Sequence, residues 1–90
     1  MEFECEGQLA KAQHALVDFL WTELNFGPAL VESAALAKSA GHLDHYAAAK
    51  EKALNAAENV RRFIVQVKDN ETRAEIAAKL AELDQLISTL

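Results

Sequence analysis

The chain is predicted to be all-α, a four-helix up-down bundle with a short second helix. Two observations predict it. Its 90 residues hold only three Gly and one Pro, and Gly27, Pro28 and Gly41 fall at the two clearest breaks in an otherwise helical pattern. Ala, the strongest helix former, occurs 18 times and supplies a large part of the 51% hydrophobic content. Helices are therefore cheap to form here, but large core side chains are few. A domain this small buries only about 60–65% of the surface its unfolded chain exposes, so self-association would help it. One domain spanning residues 1–90 is expected.

The first helix is expected over about residues 8–24, with Gly7 at its start. Leu9, Ala12, Leu16, Leu20 and Leu24 recur at helical spacing and form one stripe. Val17, Phe19 and Trp21 lie off that stripe, so the second half of this helix is apolar over most of its circumference. Asn25-Phe26-Gly27-Pro28 is read as a break. The residue before a proline is biased away from helix, and proline suits a first helical position. One helix continuing through a kink at Pro28 is the alternative.

The second helix is expected over residues 28–40, with Gly41 just past its end in a left-handed conformation. Leu30, Ala34 and Ala37, with Val31 and Ala35 beside them, line its faces. The third helix, residues 44–67, begins near Asp44 as a plausible cap and answers with Ala49, Ala53, Ala56 and Ala57. Two such small-residue faces predict a tight antiparallel hairpin across the Gly41-His42-Leu43 turn. Tyr46, Val60, Ile64 and Val67 continue the helical pattern, with Phe63 adjacent. The fourth helix is expected over residues 71–89. Asp69 or Asn70 can cap it, and Thr72-x-x-Glu75 is a capping-box pattern that would start it slightly later. Ile76, Leu80, Leu83, Ile87 and Leu90 then repeat at four-three spacing, as the core-facing seam of a bundle helix does.

Residues 29–86 resemble two families of helical domain. Leu30, Ala34 and Ala37, then Gly41 at the turn, then Leu43, Ala47 and Leu54, are similar to a tetratricopeptide helix–turn–helix, which would form the centre of the bundle. The three-helix outline, with Asp69-x-x-x-Arg73-x-x-Ile76 opening the last helix, resembles the microtubule-interacting-and-trafficking domains. The large aromatic near the start of the tetratricopeptide first helix is absent here, the turn is one residue longer, and the first 27 residues have no counterpart. Both resemblances imply a non-enzymatic module that binds peptide segments in a helical groove.

Little in the sequence points to chemistry. The formal net charge of −5 argues against a nucleic-acid surface. The basic cluster Arg61, Arg62, Lys68 and Arg73 reads as a solvated helix end that suits cations. His14 faces Asp18 one turn on, and His42 and His45 flank Asp44, but zinc or iron needs three or four convergent ligands, so no metal is expected. Glu51, Glu58, Glu75, Glu82 and Asp84 fall on polar helix faces, with Glu58 placed to pair with Arg61 or Arg62. Ser33, Ser39 and Ser88 lack any nucleophile context, and there is no glycine-rich phosphate loop. Cys5, between Glu4 and Glu6, is a poor nucleophile candidate and cannot form an internal disulfide. No enzymatic activity and no cofactor are expected.

The acidic start of the sequence does not read as a signal peptide, and no apolar run reaches membrane-span length, so a cytoplasmic location is expected. Aromatic residues concentrate early, at Phe3, Phe19, Trp21 and Phe26. Clustered aromatics dominate interface energetics, so Val17, Phe19, Trp21 and Phe26 form the candidate partner surface, with Trp21 as its anchor; the alternative is that these rings close the end of the bundle as ordinary core. The expected function is protein–protein interaction, foremost as a homodimer and otherwise with a helical peptide or protein. The competing expectation is a small-ligand- or metal-binding bundle.

Overall fold

The computed structural model describes residues 2–90, and side-chain surroundings for residues 10–90. The described residues are all-helical, with three α-helices where four were expected. They are α1 (Glu2–Ser39), α2 (Leu43–Phe63) and α3 (Asn70–Ser88), with a single 3₁₀ turn, Ile64–Gln66, after α2. The expected first and second helices are one helix of 38 residues that runs through Pro28. Phe3, Cys5 and Leu9, singled out in the sequence, lie outside the residues whose side chains are described.

The reason for the merger lies in what Gly27 and Pro28 meet. Gly27 is buried, and a Cβ built on it would stand 2.6 Å from Leu83 Cδ2 on α3. The glycine serves close helix packing, not a turn. Leu20 and Leu24 before the pair, and Val31 and Ala34 after it, are all buried on one continuous face. A mid-helix proline costs about 3 kcal/mol. Burial of four aliphatic side chains, three of them large, on both sides of it outweighs that cost.

α2 runs back along α1, and α3 returns antiparallel to α2. Three sets of contacts fix this order. Gln13 reaches the α2–α3 connection, Gly27 meets Leu83, and Lys38 and Tyr46 reach Leu90. The molecule measures 59 × 20 × 15 Å, so α1, about 57 Å long at 1.5 Å per residue, sets its length. Gln13 stands level with the α2–α3 connection, and residues 2–12 continue α1 past it.

The Ala-rich faces meet as the hairpin predicts. Ala34 of α1 and Ala49, Ala53, Ala56 and Ala57 of α2 are buried, and α1 with α2 forms the most extensive helix pair. Val60, Val67, Ile76, Leu80, Leu83 and Ile87 complete the core together with Leu20, Leu24 and Val31. The four-three seam of the last helix therefore faces inward, with Leu90 partly buried at its end.

α1 ends in a Schellman motif. The His42 amide donates to the Ala37 carbonyl at 2.8 Å, and the Gly41 amide donates to Lys38 at 3.1 Å. Gly41 has φ +79°, the left-handed conformation expected of it. Open space surrounds its Cα, so the backbone alone demands glycine. Gly41→Ala should cost about 1 kcal/mol, read as a lower urea midpoint at unchanged slope. An unchanged midpoint would contradict this account of the turn.

Two expected boundaries shift. α2 begins at Leu43 with His42 in the capping position and no side-chain cap, so Asp44 lies inside the first turn, where its charge suits the helix dipole. α2 also ends at Phe63, short of Val67. The Gln13 side chain explains this end. Its Nε2 donates to the Gln66 carbonyl at 2.9 Å, and its Oε1 accepts from the Lys68 amide at 3.0 Å. Together they clasp the backbone on either side of buried Val67. Of the two candidate caps of the last helix, Asp69 is the one used. Its carboxylate accepts from the Thr72 hydroxyl and from the Thr72 amide, which holds it below its ordinary pKa.

Candidate functional site

The four candidate interface residues do not form one patch. At about 100° per residue, Val17 and Trp21 lie on one flank of α1, and Phe19 and Phe26 lie on the other, roughly 170° away. Val17 and Trp21 are half-buried and pack against the core. Trp21 opens, with Leu24, Asn25 and Pro28, onto a shallow depression whose far wall is Lys79, Glu82, Leu83 and Leu86 of α3. Phe19 meets Phe63 of α2 edge to face, with ring centroids 6.1 Å apart, and stays 40% exposed. Phe26 is 60% exposed.

Joining the first two expected helices reveals a pattern that the broken reading hid. Ala12, Ala15, Phe19, Thr22, Phe26, Ala29, Ser33 and Leu36 follow three-four spacing without interruption, and every one of them is exposed. All but Thr22 and Ser33 are apolar. The run spans about three and a half heptads, long enough to act as a coiled-coil seam. Leu36 is 65% exposed at its far end. This seam is the outer face of α1. Apart from the edge contact between Phe19 and Phe63, neither α2 nor α3 covers it.

The charged groups identified in the sequence serve the fold's own surface. Arg61 donates to Asp84 Oδ2 at 2.8 Å across the α2–α3 pair and lies 3.6 Å from Glu58. The Asp84 hydrogen bond raises the Arg61 pKa above its ordinary value. Arg73 donates to the Val67 carbonyl and to Asn70, and Arg62 sits 5.7 Å from the Phe63 ring centre. The basic cluster is thus partly consumed in holding the α2–α3 connection. His14 lies 3.3 Å from Asp18, one turn on, as its spacing suggests. His42, Leu43, Asp44 and His45 border an open depression at the hairpin turn. Among the described residues no three of His, Cys, Asp and Glu converge as a metal site would require.

At the opposite end from Gln13, the Tyr46 hydroxyl donates to the Leu90 carbonyl oxygen at 2.6 Å, which Lys38 also reaches at 3.2 Å. Lys38 and Lys50 stand 5.5 and 5.7 Å from the Tyr46 ring centre. These contacts tie the end of α3 to the α1–α2 turn. Among the described residues, no helix is long and apolar enough to cross a membrane.

Fold and surface together define a slender, all-α three-helix protein whose first helix carries an uncovered apolar seam. Comparison with family models, curated proteins and solved structures gave no match to the chain.

Proposed function

We propose that this chain is a non-enzymatic self-association module, in which α1 of one copy packs along α1 of a second. The uncovered seam from Ala12 to Leu36 carries this reading. Isolated exposed apolar residues are ordinary, but a continuous stripe on one helix face marks an interaction surface. Two-fold pairing is the commonest way for such a face to close on itself. The resemblance to peptide-binding helical domains supports a non-enzymatic role and leaves room for a helical peptide or protein as a further partner. A cytoplasmic setting completes the proposal.

Of the four candidate residues, Phe19 and Phe26 contribute to this contact, whereas Val17 and Trp21 chiefly support the core. Phe26→Glu should therefore weaken self-association by at least about tenfold, or ~1.4 kcal/mol, with the helical circular-dichroism signal retained. Sedimentation velocity at several concentrations checks this. Trp21→Ala should instead lower folding stability. A Phe26→Glu variant that associates as tightly as the wild type would remove the seam from the interface.

A further inference from the structure

We infer that the second copy lies antiparallel on this seam, about a two-fold axis that passes between Phe19 and Thr22. The inference rests on the self-association reading and adds orientation and register to it. Overlap is its first support. α1 runs from Glu2 to Ser39, and the axis falls at its midpoint, so the two helices lie side by side over their full length. Residues 2–12, which continue α1 past the α2–α3 connection, then run along residues 29–39 of the second copy.

The order of large and small side chains is the second support. With the axis at that point, Phe19 faces Thr22 of the second copy, Phe26 faces Ala15, and Ala29 faces Ala12. No layer sets a ring directly against a ring, so the two helix axes can hold an even separation of about 8–10 Å. A parallel arrangement pairs each seam residue with itself. It sets Phe–Phe layers at 19 and 26 beside Ala–Ala layers at 15 and 29 and a Thr–Thr layer at 22, and no single separation satisfies all of them.

Charge along the seam's edge supplies the third support and selects the register. Lys11, Asp18, Asn25 and Glu32 form one flank of the seam, and all four are exposed. In an antiparallel pair this flank meets the same flank of the second copy. Here Lys11 stands level with Glu32, twice by symmetry, and Asp18 stands level with Asn25. Sliding the helices by one heptad in one direction sets Asp18 against Glu32. Sliding them by one heptad in the other sets Asp18 against its own copy. Parallel pairing brings Asp18 beside Glu23. Each alternative juxtaposes like charges, and such contacts at the edge of an interface select against the wrong register.

The test uses cysteine cross-linking in the full chain. Cys5 is the only cysteine and is first replaced by Ser. Two variants are then made in that background, Ala12→Cys and Ala29→Cys, both at exposed seam positions. The antiparallel register predicts a disulfide-linked dimer when the two variants are mixed and oxidised, and none from either variant alone. A covalent dimer from Ala12→Cys by itself would overturn the inference in favour of parallel pairing. No cross-link in the mixture, from protein that light scattering shows to be dimeric, would overturn the register and leave self-association standing. Monomeric mass for both variants and for the Cys5→Ser parent would overturn the underlying reading as well. Thermal melts of both variants establish that each remains folded.

Discussion

Leu20→Ala should destabilise the folded chain by about 2–5 kcal/mol. Leu20 is fully buried at the centre of α1 and packs in the core cluster that all three helices share. The core has few large side chains to spare, because Ala fills the α1–α2 interface. Removing one leaves a void that its neighbours, held on three rigid helices, cannot collapse to fill. Against a total stability of about 5–10 kcal/mol for a domain of this size, the loss is a large fraction. Urea denaturation followed by circular dichroism measures it. A change below about 1 kcal/mol would mean that the face carrying Leu20 is not the core face.

Pro28→Ala should stabilise the chain by about 2 kcal/mol net. Proline in a helix interior is about 3 kcal/mol less favourable than alanine, since it lacks the amide that would bond to the Leu24 carbonyl. Alanine returns that hydrogen bond and gives back less than about 1 kcal/mol through a more flexible unfolded chain. The ring itself is exposed, so little packing is lost. The sign separates two architectures. In a four-helix arrangement Pro28 would occupy a first helical position, where it is favoured, and alanine would be neutral or worse. A lower melting temperature for Pro28→Ala would contradict the continuous α1.

The sequence makes local signals legible and hides those that depend on distant partners. The left-handed Gly41, the small-residue hairpin and the inward seam Ile76–Leu80–Leu83–Ile87 follow from periodicity and turn chemistry, and the structure contains all three. The break at Gly27-Pro28 does not survive, because the buried residues on both sides of the pair share one continuous face. Leu83, far along the chain, turns Gly27 into a packing residue. A break at this point has a second effect. Cutting α1 into two pieces scatters Phe19, Phe26 and Leu36 across separate helices, so the seam cannot be counted. Composition places the aromatic cluster on α1 but cannot divide it between the Trp21 flank and the Phe26 flank. The Gln13 clasp has no readable signal, since a single polar residue on an amphipathic helix gives no hint of partners at Gln66 and Lys68.

The fold and the proposed function meet at one physical point. A body 20 × 15 Å across cannot enclose both faces of a 38-residue helix, so α1 buries one face on α2 and α3 and presents the other. The direct measurement is the solution mass of the wild-type chain, by size-exclusion chromatography with light scattering over a micromolar concentration series. Pairing along α1 predicts a mass approaching twice the 9.9 kDa of one chain as concentration rises. A mass that stays at one chain throughout the high micromolar range would contradict it.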